Sequence, residues 1–218
     1  MKKILFLLAI TAPLYFMSCN QSNSKKNTES ETVYEVVDTE GGSELTACYH
    51  SSKIFWKGTK PTGEHNGLLK LNNGGNFIVE EDKLVGGEFI IDMLSIANID
   101  LEDEEMNAKL VKHLKSNDFF SVDSFPEAKF VIAELSDIED EVYNTEVKGN
   151  LTIKGISQLI SFKAKIVVSE GRVTAMSDDI VIDRTKFGVN YKSKSIFKEL
   201  KDKFIDDEFT IKLELYSM

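Results

Sequence analysis

The chain has 218 residues, 42% of them hydrophobic, and a formal net charge of −10. That length supports one sizeable domain plus an N-terminal extension. So acidic a chain repels polyphosphate, which excludes nucleic acid as an expected partner, and its net charge argues against electrostatic attraction to anionic lipid.

The first residues read as a leader. Lys2 and Lys3 precede an apolar run over residues 4–17 that is too short to span a bilayer comfortably. The run ends at Phe16-Met17-Ser18-Cys19 and turns polar at Asn20. A small residue before a cysteine there resembles a bacterial lipobox. Phe16 and Met17 stand where leucine and a small residue are commoner, as in the looser boxes of Bacteroidetes-type lipoproteins. The expectation is a lipoprotein signal peptide over 1–18, with Cys19 as the acylated lipid anchor. The protein would then sit in the cell envelope, held on the outer or inner membrane and facing the periplasm or cell surface. The alternative is plain secretion with Cys19 incidental. Loss of Lys2 and Lys3 leaves 24 basic against 36 acidic residues, a net charge of −12. Only Cys48 then remains as a thiol, so no internal disulfide is available.

Residues 19–44 are polar and read as a flexible tether, with a loose strand at 33–37. The domain is expected over 45–218, and there the hydrophobic period is two almost throughout. Ile54, Trp56 and Gly58 share one strand face, and His65, Gly67, Leu69 and Leu71 form the next inward row. Asn72-Asn73-Gly74-Gly75 is a turn signal, and Gly86-Gly87 predicts a bulge in the long apolar strand that follows. Residues 100–115 change period: Met106, Leu110 and Leu114 fall on one helical face, with acids early and lysines late. The acidic start of that segment lacks the alternating ligands and glycine of a calcium loop.

Residues 118–130, DFFSVDSFPEAKF, carry Phe119, Phe120, Phe125 and Phe130, too much aromatic mass for a surface loop. The segment reads either as a core plug or as the lining of an apolar cavity. Beyond it, Thr145, Val147, Gly149, Leu151 and Ile153 alternate with polar residues. A turn at Lys154-Gly155 leads to Ile160, Phe162, Ala164, Ile166 and Val168 on the return strand. Residues 195–204 read as a second short helical segment, and the chain closes on Phe209, Ile211, Leu213 and Leu215 in alternation. Successive hairpins without βαβ periodicity predict an all-β fold: an antiparallel barrel of about eight strands with one or two short helices. Such a barrel either fills its lumen with side chains or holds one small ligand.

Seven pieces in order resemble the YceI-like polyisoprenoid-binding family. They are Phe55-Trp56-Lys57-Gly58, His65-Asn66-Gly67, GEFIIDMLSI over 87–96, HLKSNDFF over 113–120, FPEAKF over 125–130, KGNLTIKG over 148–155 and DRTKFGV over 183–189. The resemblance implies a lipocalin-like barrel whose lumen accepts a long isoprenoid lipid, such as a prenyl quinone or polyprenyl phosphate, for transport or storage. It implies a carrier without catalysis, and no cofactor beyond the bound lipid or quinone.

With that resemblance, the inward positions nominate Trp56, His65, Phe89, Ile91, Met93, Phe119, Phe120, Phe125, Ile153, Phe162, Ile182, Arg184 and Phe187 as ligand contacts. Arg184 is in phase with Ile180 and Ile182, so its guanidinium needs an anionic or carbonyl partner. That partner is either a ligand head group or a protein carboxylate such as Asp92 or Asp183. His65 is either a head-group donor or a satisfied structural histidine. His50 and His113 look scattered, and no spacing suits a metal. No nucleophile elbow, phosphate loop or HExxH motif is present. Two further readings stand beside the carrier: an envelope interaction module with a self-filled lumen, and a lipid-acting enzyme, which an inward carboxylate next to His65 would revive. A homodimer is compatible with the sequence.

Overall fold

Half-apolar strands in succession have one way to hide both their greasy face and their edges, which is to coil into a ring. A computed structural model describes residues 41–218. The leader, Cys19 and the strand expected at 33–37 lie outside the described residues, as does all but the last few residues of the tether.

The strands are β1 (Ser43–Thr46), β2 (Lys53–Lys60), β3 (Gly63–Leu71), β4 (Asn76–Glu80) and β5 (Lys83–Asn98). After helix α1 (Glu104–Lys115) come β6 (Glu127–Asp137), β7 (Thr145–Ile153), β8 (Ile156–Ser169), β9 (Arg172–Ser177), β10 (Ile180–Asp183) and β11 (Glu208–Tyr216). All strand pairings are antiparallel. Eight strands form the ring β5-β3-β2-β11-β9-β8-β7-β6, which closes where Phe89 pairs with Phe130 and Ile91 with Ala128. The predicted barrel is the observed one. β4 and β1 extend from the first half of β5, and β10 pairs with the first half of β11.

Local chemistry explains the coiling. Across the β4–β5 pair, Ile78 faces Gly86 while Val79 faces Leu84, so Val85 is the extra residue of the bulge predicted beside Gly86-Gly87. Lys154-Gly155 and Glu170-Gly171 both take positive φ at both positions, the mirror-image turn whose twist suits a two-residue hairpin. Gly67 faces Trp56 across β2 and β3, and a Cβ there would meet the Ala97 carbonyl at 1.8 Å and the indole at 2.7 Å. The Trp56 ring therefore lies over bare backbone, and its Nε1 donates to Ala97 O at 3.1 Å.

Helix α1 starts later than predicted, capped by Asp103, whose carboxylate accepts from the Met106 amide at 2.8 Å. Leu114 is buried and Leu110 packs against the core, but Met106 is 53% exposed, and the first turn is held to the end of β5 by the Asn107 side chain donating to Asn98 O at 3.1 Å. The second helical segment is only a 3-10 stretch, Lys198–Lys203, broken where Lys201 turns to φ 49°. The aromatic segment divides. Phe119 and Phe130 are buried, whereas Phe125 is 36% exposed beside the Gly155 turn.

Candidate functional site

The barrel interior is two spaces of different character. The inner lumen is lined almost wholly by apolar side chains, among them Ile54, Phe89, Phe130, Phe162, Ile182 and Leu213, and its free volume is about 70 Å³. Phe77 and Phe89 meet edge-on with centroids 4.9 Å apart, and Phe130 and Phe162 lie tilted at 5.7 Å, so the rings themselves fill it. At the end where the β2–β3 hairpin, α1 and the start of β11 converge, the interior opens into a cleft of about 520 Å³. Ile211 lines both spaces. The cleft volume falls in the range of small-molecule sites, whereas the inner lumen is far below it.

Of the nominated contacts, Phe89, Ile91, Phe162 and Ile182 line the inner lumen. Trp56, His65, Phe119, Phe120 and Arg184 line the mouth cleft. Four nominations line neither space. Met93 and Ile153 are buried in the core, Phe187 is buried in the 3-10 turn Arg184–Phe187, and Phe125 sits at the surface. In-phase position puts a residue inward but does not decide whether it borders free space or packs as core.

Arg184 is 4% exposed, and each of its three nitrogens donates to a backbone carbonyl. Nε donates to Asp206 O at 2.9 Å, Nη1 to Val189 O at 2.7 Å and Nη2 to Ile205 O at 3.0 Å. Asp207 lies 3.8 Å from Nη2 as the carboxylate partner. The alternatives Asp183 and Asp92 are engaged elsewhere: Asp183 caps the following turn through Thr185, and Asp92 accepts from the Leu94 amide. Burial lowers the Arg184 pKa against the opposing pull of Asp207, Asp183 and Asp206. Burial likewise raises the Asp207 carboxyl, but hydrogen bonds from Ser193 and Ser195 together with Arg184 bring it below its ordinary value. This cluster clamps the segment after β10 to the start of β11.

His65 Nδ1 lies 2.8 Å from Asp100 Oδ2, so a carboxylate does stand beside it. Asp100 also accepts from the Asn66 amide at 2.8 Å and from the Asn98 side chain. Burial raises its pKa, and these donors outweigh that and lower it. Asp100 thus fixes the His65 ring at the cleft wall. The Thr59 hydroxyl, in the same cleft, is spent on Asp206 at 2.7 Å.

His113, which looked scattered, lines the cleft as well. Its Nε2 lies 3.0 Å from Asp118, and its ring meets Phe119 and Tyr191 edge-on at 4.9 and 4.7 Å. Lys60, Lys192 and Lys203 supply cations to the cleft, and Asp202 and Glu208 supply carboxylates. The signal for His113 was its place beside Leu110 and Leu114 in the last turns of an amphipathic helix. Tyr191 and the lysines follow from the course of a loop without periodicity. Among the described residues no three His, Cys, Asp or Glu side chains converge as a metal would require.

A closed antiparallel ring with an apolar lumen and one polar-rimmed mouth defines a lipocalin-like barrel. Residues 49–216 match the YceI-like domain, and the chain belongs to that family. UPF0312 proteins of Staphylococcus aureus (strain USA300) and Photorhabdus laumondii are each 34% identical, over 85 and 79 residues. Each alignment covers 36% of this chain, and 46% and 37% of those relatives, so the chain spans less than half their length. Among solved structures, BcnA of Burkholderia cenocepacia superimposes with a TM-score of 0.60 at 20% identity, over 79% of this chain and 99% of that one. A polyisoprenoid binding domain from Saccharophagus degradans, implicated in plant cell wall breakdown, gives 0.55 at 10% identity, over 81% and 98%. At these identities the likeness is one of fold.

Proposed function

We propose that this barrel binds a long apolar isoprenoid-type lipid, a prenyl quinone or polyprenyl phosphate, for transport or storage in the cell envelope. One observation carries the reading: a cleft of about 520 Å³, with apolar side chains and a set of polar ones in its lining, that shares Ile211 with a lumen of almost no polar lining. Family membership and the name of the Saccharophagus degradans domain support the same ligand class. The chain's tail would enter the cleft first, and rotation of the lumen rings would admit it further. Each buried methylene contributes about 0.8 kcal/mol before ordering costs. The head group would stay at the rim, within reach of His65, His113 and the cleft lysines. We assign Arg184 to holding the fold and not to that contact, since each of its nitrogens donates to a backbone carbonyl. We read the His65–Asp100 pair as a fixed hydrogen-bonding group at the cleft wall and not as a catalyst. Acylated Cys19 would tether the barrel to a membrane, and the bound isoprenoid lipid or quinone would serve as ligand, with no further cofactor.

A specific observation favours a second reading, the envelope interaction module. The inner lumen, at about 70 Å³, is packed by its own rings. Titration with prenyl quinones of increasing tail length separates the two, read by fluorescence of Trp56, the only tryptophan, which lines the cleft. A lipid carrier gives saturable one-to-one quenching whose affinity rises with tail length. Absence of saturable quenching at every length leaves the module.

A further inference from the structure

Residues 190–204, NYKSKSIFKELKDKF, form a loop between the 3-10 turn Arg184–Phe187 and β11 that differs from the rest of the chain in charge. Lys192, Lys194, Lys198, Lys201 and Lys203 stand against only Glu199 and Asp202, a net +3 within a chain whose total is −10. All five lysines are exposed. Among them Ile196 and Phe197 are 48% and 40% exposed, side by side. Elsewhere an exposed apolar pair is ordinary, but here Lys194 and Lys198 flank it in the sequence.

The base of the loop is fixed to the barrel. Ser193 is fully buried and bridges in parallel to Ile205, whose amide donates to Lys192 O at 2.9 Å. The Ser195 amide donates to Asp207 at 3.0 Å, so the crest stands on the Arg184–Asp207 cluster. Tyr191, Lys192, Lys203 and Phe204 from the same loop line the mouth cleft. Lys192 and Lys203 thus border the opening, and the crest that carries the apolar pair and the other three lysines is the stretch of chain between them.

We propose that the 194–203 crest docks the barrel mouth onto an anionic lipid bilayer. Lysine stems lie along the interface with their ammonium groups on lipid phosphates, while Ile196 and Phe197 enter the acyl boundary. The acidic remainder of the chain is repelled by the same surface. Attraction at one rim and repulsion elsewhere fix the orientation, with the mouth facing lipid. On this proposal the net-charge argument against attraction to anionic lipid applies to the barrel body and not to this loop. The proposal stands on the loop alone and does not require the isoprenoid reading.

The test is hydrogen exchange on the full chain reconstituted in vesicles of phosphatidylcholine, with or without phosphatidylglycerol. Any N-terminal anchor is common to both. We expect amides of 194–203 to exchange about tenfold more slowly on the anionic vesicles, with the protection lost at about 1 M salt. It is lost too in the triple variant Lys194→Glu, Lys198→Glu, Lys201→Glu, and reduced in Phe197→Ser. Equal exchange on both vesicle types, or protection indifferent to the triple variant, overturns the proposal. Prenyl quinone uptake is measured separately, so failure of either reading leaves the other standing.

Discussion

The Nη1 of Arg184 donates to the carbonyl of Val189 at 2.7 Å, closing a clamp whose other jaws are the carbonyls of Ile205 and Asp206. Removing this cation leaves three carbonyls and the Asp207 carboxylate without it in a buried site. Arg184→Ala is expected to cost about 3–5 kcal/mol, read as a drop in the urea midpoint. The variant that remains folded should bind prenyl quinone with unchanged affinity, which a head-group role for Arg184 would not allow.

Gly67 supports Trp56 by having no side chain. Gly67→Ala forces the indole off Ala97 O and should destabilise the β2–β3 pair. Because Trp56 is the only tryptophan, its emission should shift in the variant at native conditions, before any unfolding.

The filled lumen makes a prediction of its own. Phe162→Ala removes a ring that packs on Phe130, at an expected cost of about 3–5 kcal/mol. If ligand tails pass beyond Ile211, the variant should bind the longer prenyl quinones more tightly than the wild type, with short ones unaffected. Competitive titration across tail lengths reads the difference.

The barrel was legible because its strands have one wet face. In β7 the burial alternates from Thr145 to Gly149 as the side chains do, and its register with β8 follows from the Lys154-Gly155 turn. The inward phase of His65, Leu69 and Leu71 was legible for the same reason. The mouth was not. Asp207 reaches Arg184 across a loop of 20-odd residues without periodicity, and His113 reaches the cleft only because α1 docks there. Phe125 misled for a related reason: aromatic mass signals burial on average, but a ring beside a hairpin turn can stay at the surface.

Two carboxylates beside Lys163 give opposite pH signatures. The Lys163 ammonium, with the Val142 and Tyr143 amides, holds Asp140 down at about 2. That lies below the roughly 3.9 of an unfolded chain, so its stabilisation is present above about pH 4 and is lost as pH falls towards 2. Burial pushes Asp178 up, so its contribution is present below the ordinary carboxylate range and is lost as pH rises through its raised value. At pH 7, Asp140→Asn should lower the urea midpoint. Asp178→Asn, which keeps an acceptor for the Lys163 amide, should raise it. Both differences should shrink by about pH 3.

The most direct test of the central claim is mass spectrometry of an organic extract from the protein purified natively from bacterial membranes. The account predicts one prenyl quinone or polyprenyl phosphate per barrel, carried through purification. An empty extract, together with failure to take up added prenyl quinone, would contradict it and leave a self-filled barrel.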